Sequence, residues 1–208
     1  KDWKHLKRLN LRGTRVSDGS LEIVSRMPAL EALDIAHTEV TDVGLDNLIT
    51  LVNLRELSLG RGRLTNAGLA MLRMLPELRY LDLSGARPVP PDAPNGRSTG
   101  SGIPEETLKA IAGLRELRVL YLGYSAITPD GLRTLSSLQK VERLGLQGCS
   151  RVDDAALAEL SKWTNLRYLD IQETPVTEQG LAALRSAKPG IRILSGGTPP
   201  PPPAPYSR

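Results

Sequence analysis

The stretch LEALDIAHTEVTDVGLDNLITL, Leu30 to Leu51, decides the fold. Leu33 and Ile35 share one face of a short strand, with Asp34 pointing the other way and Leu30 leading in at L-x-x-L-x-L spacing. Val40 is followed by Thr41-Asp42, a helix-start signature, because a hydroxyl or carboxylate there can satisfy the orphan N–H groups of a first turn. Leu45, Leu48 and Leu51 then recur every third position and draw one apolar stripe along a short helix.

The same order repeats along the chain. The strand pattern returns at Leu6/Leu9/Leu11, Leu54/Leu57/Leu59, Leu78/Leu81/Leu83, Leu117/Leu120/Leu122, Val141/Leu144/Leu146 and Leu166/Leu169/Ile171, with a degenerate eighth copy at Ile191/Leu194. Successive starts lie 24, 24, 24, 39, 24, 25 and 25 residues apart, so one interval is a repeat plus 15 residues. Before each helix stripe stands a small residue: Ser20, Gly44, Gly68, Thr107, Gly131, Ala156 and Gly180. The expected reason is close approach of helix and strand backbones.

A strand, a turn, a capped helix and a return cannot bury their own leucines, so the units must stack. With these motifs the sequence resembles the leucine-rich repeat family over nearly its whole length. The resemblance implies an α/β solenoid, a horseshoe whose parallel concave sheet of about eight strands carries short helices on its convex side. The family's ninth position holds Thr14, Thr38, Gly62, Ala86, Ser125, Cys149 and Thr174 here, which departs from the asparagine-ladder type. Leu146-Gln147-Gly148-Cys149-Ser150 is similar to the cysteine-containing subtype of F-box proteins, and Val40 to Leu45 resembles bacterial V-T-D-x-G-L units. The implied organisation is a repeat domain over 1–197, interrupted by a Pro/Gly/Ser-rich loop at 87–102, and a Pro-rich tail over 198–208.

Composition excludes several classes. Thirty-six of 208 residues are Leu and none is Phe, so burial comes from repeated aliphatics. One Cys and two His (His5, His37) cannot close an N/S tetrahedral metal site or an internal disulfide. No stretch reaches the roughly 18 apolar residues of a membrane span. The chain does not begin with Met and the start lacks a signal-peptide core; an exported bacterial protein is the expected location, with the cytoplasm as alternative. The net charge of +4 is spread over 27 basic and 23 acidic residues, without the aromatic interleaving of a nucleic-acid binder. Cys149 falls in a buried column, neither His has an acidic partner at repeat spacing, and Asp18, Asp42 and Asp130 read as helix-start carboxylates. Trp3 and Trp163 fall in the core stripe. No catalytic constellation results, so the expectation is a protein that is not an enzyme and needs no cofactor.

The informative columns are those flanking each central strand leucine, which face the open side of the sheet. One reads Arg8, Ala32, Glu56, Tyr80, Val119, Arg143, Tyr168 and Ile193; the next reads Asn10, Asp34, Ser58, Asp82, Tyr121, Gly145, Asp170 and Ser195. Tyr124 lies just beyond, so four of the five tyrosines fall on one surface, where they supply interface area at low entropy cost. The expected partner-binding patch is Tyr80, Asp82, Tyr121, Tyr124, Arg143, Tyr168 and Asp170, with Gly123, Gly145 and Gly148 lowering its floor. Eight strands at about 4.8 Å make a face roughly 34 Å wide, suited to a protein. The implied function is a non-catalytic adaptor or accessory subunit, the alternative being the substrate-receptor part of an F-box-type ubiquitin ligase. The N-terminal edge at Leu6, Leu9 and Leu11 is expected to be covered by another chain or an upstream segment, since solenoid ends need capping.

Overall fold

The computed structural model describes residues 3–85 and 103–196. The insertion assigned to 87–102 and the tail assigned to 198–208 lie outside the described residues. Eight three-residue strands form one parallel sheet in chain order: β1 (Arg8–Asn10), β2 (Ala32–Asp34), β3 (Glu56–Ser58), β4 (Tyr80–Asp82), β5 (Val119–Tyr121), β6 (Arg143–Gly145), β7 (Tyr168–Asp170) and β8 (Arg192–Leu194). Between them run the helices α1 (Asp18–Val24), α2 (Asp42–Leu48), α3 (Asn66–Ala70), α4 (Glu105–Ala112), α5 (Pro129–Thr134), α6 (Asp154–Leu160) and α7 (Glu178–Ala187), each packed on the next. None of these is long and apolar enough to cross a membrane.

The central strand leucines Leu33, Leu57, Leu81, Leu120, Leu144 and Leu169 are wholly buried against the helix stripes, and one continuous core runs through the stack. Trp163 is buried at the end of its stripe, as expected. Trp3 is not core: it is 50% exposed, because no helix among the described residues precedes it. The eighth strand also differs from its expected register. Arg192 pairs with Tyr168 and Leu194 with Asp170, so Ile193 takes the central column in place of Leu194. Ile191 and Ile193 thereby pack against the core, where the 25-residue spacing assigns Ile191 and Leu194.

A hydrogen-bonded clamp joins successive repeats on the helix side. The backbone N–H and hydroxyl of Thr41 donate to the two carboxylate oxygens of Asp18 at 2.8 and 2.7 Å. Thr65 grips Asp42 in the same way, and Thr177 grips Asp154. Each threonine oxygen also accepts from its own helix, from Val43, Ala67 and Gly180 N–H respectively, so one side chain caps a helix and ties it to the repeat before. Asp18 and Asp42 therefore bridge repeats in addition to opening helices, while Asp130 is a surface residue paired with Arg133 at 2.7 Å.

The clamp explains the small-residue column. A Cβ at Gly44, Gly68 or Gly180 would fall 2.5, 1.9 or 2.2 Å from the Asp18, Asp42 or Asp154 carboxylate of the preceding repeat. Glycine follows every clamping aspartate. Where the preceding repeat offers Asn66, Glu105 or Pro129 instead, the column holds Thr107, Gly131 or Ala156. Clearance for a neighbour's carboxylate accounts for Gly44, Gly68 and Gly180, whereas at Gly131 a Cβ would instead meet the Leu108 and Ile127 side chains at 3.0 and 3.1 Å.

Two outcomes follow from this clamp. Gly68→Ala should destabilise the protein by roughly 1–2 kcal/mol by expelling Asp42 from Thr65, yet be neutral or slightly stabilising in an Asp42→Ala background, where only alanine's higher helix propensity remains. Chemical denaturation of the four proteins of this cycle measures the coupling, and additive effects would refute it. The two donors of Thr177 hold the Asp154 carboxyl below its ordinary value. Its folded pKa is thus below the unfolded value of about 3.9, so the link contributes at neutral pH and is lost as pH falls through the folded value. Melting temperature followed from pH 7 into the acid range should fall more steeply for the wild type than for Asp154→Asn.

Candidate functional site

In-register parallel pairing sets the strand-flanking side chains in straight rows. The first row reads Arg8, Ala32, Glu56, Tyr80, Val119, Arg143, Tyr168, Arg192, and the second Asn10, Asp34, Ser58, Asp82, Tyr121, Gly145, Asp170, Leu194. The N-terminal half of this face neutralises itself. Arg8 reaches across Ala32 to Glu56 at 2.8 Å, and Ala32 is fully buried beneath the pair. Arg12 lies 3.7 Å from the Asp34 carboxylate and 3.4 Å from the His37 ring.

The C-terminal half is aromatic. Tyr80 and Tyr121 meet with ring centroids 5.7 Å apart at 59°, a tilted contact favoured by the ring quadrupoles. Burial pushes both phenols above their ordinary pKa. The Arg143 guanidinium carbon stands 6.0 Å from the Tyr168 ring centre, within cation–π range. Tyr124 is exposed, and its hydroxyl faces Glu173 at 3.5 Å. Sequence reasoning did not place Glu173 in the patch; its signal was that Tyr124 and Glu173 occupy the same repeat position.

That position has an unusual backbone. Gly13, His37, Arg61, Gly85, Tyr124, Gly148 and Glu173, one per repeat, all adopt φ between 55° and 69°. The left-handed residue turns the chain out of the strand, and its N–H continues the ladder, as in Tyr124 to the Gln147 carbonyl at 2.7 Å. A side chain in this conformation costs about 1–2 kcal/mol relative to glycine. Tyr124 and Glu173 are held there nonetheless.

Gly123 and Gly145 line an open cleft, while Gly145 and Gly148 also lie under tyrosine rings. The Tyr121 ring lies over Gly145, where a Cβ would be 2.2 Å from Cδ1, and the Tyr124 ring lies over Gly148 in the same way. Each glycine seats the tyrosine of the preceding repeat. What stays open is a cleft of about 190 Å³ walled by Tyr121, Tyr124 and Tyr168, with Asp82 and Asp170 on its lining and Arg12, Ser84, Gly123, Gly145 and Gln147 completing it. Asp82 Oδ1 accepts from Ser84 N–H at 2.8 Å and Asp170 Oδ1 from Gln172 N–H at 3.1 Å, closing the turns that follow β4 and β7. Tyr121, Tyr124, Tyr168, Asp82 and Asp170 thus share the cleft, while Tyr80 supports the Tyr121 ring and Arg143 lies against Tyr168.

The groups that could do chemistry lie elsewhere or are masked by packing. Cys149 is wholly buried, its Sγ 3.3 Å from the Leu122 carbonyl, and burial raises its thiol pKa, which disfavours the reactive thiolate. Burial and the charges of Arg12 and Arg61 lower the pKa of His37. Among the described residues, no three His, Cys, Asp or Glu side chains gather closely enough to hold a metal ion.

The comparisons with known proteins agree with this geometry. Residues 27–48 match the family model described as a leucine-rich repeat. No curated protein matches the sequence. Among solved structures, human trophoblast glycoprotein is similar at TM-score 0.65 and 22% identity, over 93% of this chain and 70% of that one. A leucine-rich-repeat protein of Leptospira interrogans is similar at TM-score 0.61 and 20% identity over 91% of this chain, which spans about half (49%) of its length. Internalin C2 of Listeria monocytogenes is similar at TM-score 0.58 and 19% identity, over 93% of this chain and 82% of that one. These likenesses concern the fold, and together with the repeat matched at 27–48 they give the chain the fold of a leucine-rich-repeat solenoid.

Proposed function

We propose that the protein is a non-catalytic binding module, an adaptor or accessory subunit whose concave face on β4 to β7 docks a protein partner. The observation that carries this reading is the concentration of Tyr80, Tyr121, Tyr124 and Tyr168 with Arg143 on one half of the face, beside a half whose charges are already paired. Tyrosine and arginine are the residue types that dominate interface energetics, and neighbouring carboxylates add charge selectivity. The N-terminal edge supports a second contact. Leu6, Leu9 and Leu11 are only partly buried and Trp3 stands half exposed, a surface that further polypeptide would cover.

A partner found by display selection on the immobilised protein should lose affinity by about 2 kcal/mol or more for each tyrosine that is central to the interface, measured on Tyr80→Ala/Tyr121→Ala/Tyr168→Ala. The convex variant Ile23→Ser/Val43→Ser should bind as the wild type does. Unchanged affinity in the tyrosine variant, or loss confined to the convex variant, would overturn the reading. For the N-terminal edge, the amides of β1 should exchange more slowly in the native assembly than in the isolated 208-residue chain; equal rates would refute a covered edge.

A further inference from the structure

Along the second row of the sheet stand Asp82, Tyr121, Gly145 and Asp170. Because the Tyr121 ring lies over Gly145, the ring is flanked by an aspartate on either side, and both carboxylates act electrostatically on its phenol. Each aspartate uses one oxygen on a turn amide and keeps the other without a hydrogen-bond partner among the described residues. Neither forms an ion pair there, in contrast to Glu56, paired with Arg8, and Asp34, paired with Arg12. Of the nearby cations, Arg12 lines the cleft but lies 3.7 Å from the Asp34 carboxylate, and Arg143 is placed against Tyr168; Glu173 is approached by Tyr124 and by Gln147 at 3.2 Å. Burial raises the Asp170 pKa, the mark of an anion partly removed from water with no counter-charge.

Resting on the protein-binding reading above, we infer that the cleft between Asp82 and Asp170 receives one basic side chain, lysine or arginine, of the partner polypeptide. The cation sits against the Tyr121 ring, between the two carboxylates, with Tyr124 and Tyr168 as walls. Three features select this occupant. The lining combines π faces with two carboxylates that form no ion pair among the described residues, Arg12 being taken by Asp34, and such a site attracts an organic cation by quadrupole and charge together. The volume of about 190 Å³ holds roughly six waters at ~30 Å³ each, the scale of one long side chain. A bare divalent ion would need several converging oxygens, and the described residues offer no such cluster. The rows of the face continue on both sides of the cleft, so a chain bearing the basic residue has sheet surface to lie on.

The test uses the whole chain and defined probes. Ac-Gly-Lys-Gly-NH2 and Ac-Gly-Arg-Gly-NH2 are titrated against Ac-Gly-Gln-Gly-NH2, with the ring signals of Tyr121, Tyr124 and Tyr168 and the Gly145 amide followed by NMR. The basic peptides should shift these signals saturably and the glutamine peptide should bind about tenfold more weakly or not at all. In Asp82→Asn/Asp170→Asn, which keeps the oxygens that accept from Ser84 and Gln172, the preference for the basic peptides should vanish while the melting temperature stays near that of the wild type. Equal binding of the glutamine peptide, shifts mapping outside the cleft, absence of saturation, or a basic preference that survives the double variant would each overturn the inference. If the peptides fail while the tyrosine variant still loses the selected partner, the cation site falls and the protein-binding reading stands; if the peptides bind but the tyrosine variant keeps its partner, the reverse holds.

Discussion

A unit of about 24 residues offers one face of leucines and nothing of its own to bury them against, so every repeat is stable only through its neighbours. This constraint governs the rest of the molecule. It requires each strand to pair in parallel with the next at zero offset, and zero offset stacks equivalent residues into columns. The columns are then either core, as for the central leucines, or surface rows in which side chains from different repeats meet. A contact such as Tyr80 with Tyr121, or Arg8 with Glu56 over Ala32, is a consequence of that alignment.

The convex side shows how specific the coupling between repeats becomes. A carboxylate at the start of one helix accepts two hydrogen bonds from the threonine that caps the next, and the space it occupies obliges glycine 26 residues further on, in the following repeat. Apolar stacking sets the association of repeats, and at three junctions these directional hydrogen bonds reinforce it. Where the aspartate is replaced, as by Asn66 before α4, the partner column relaxes to Thr107, and the Asn66 Oδ1 and Thr107 Oγ1 atoms are both buried without a hydrogen bond. That junction, one of three without the clamp among the described residues, is also where the sequence carries its insertion.

On the concave side the same column logic divides the face in two. Repeats one to three spend their charges on each other, while repeats four to seven present tyrosines seated on glycines, with two aspartates held by the turns. A face of this kind is rigid, since its side chains rest on strands and on one another, and rigid aromatic surface loses little entropy when it is covered.

The sequence by itself determined the repeat, its strand and helix halves, the core columns and the identity of the residues that face outward, because periodicity in a stacked array maps directly onto position. Even the tyrosine patch was legible in this way, since Tyr80, Tyr121 and Tyr168 occupy strand-flanking places in their repeats. Only the tertiary structure decided what those residues do once aligned. The pattern named Asp42 as a helix start, but its grip on Thr65 and the resulting need for Gly68 arise between repeats, where no single unit carries the information. It read Gly123, Gly145 and Gly148 as the floor of a groove; Gly123 and Gly145 do line the cleft, but the tyrosine rings that fold over Gly145 and Gly148 arise only from the alignment of repeats. The eighth strand lies one residue from the expected register, with Ile193 in place of Leu194 opposite Leu169. Local sequence sets which side of the sheet a residue faces; the neighbours it meets there, and which charges remain unpaired, depend on side-chain reach across the stack.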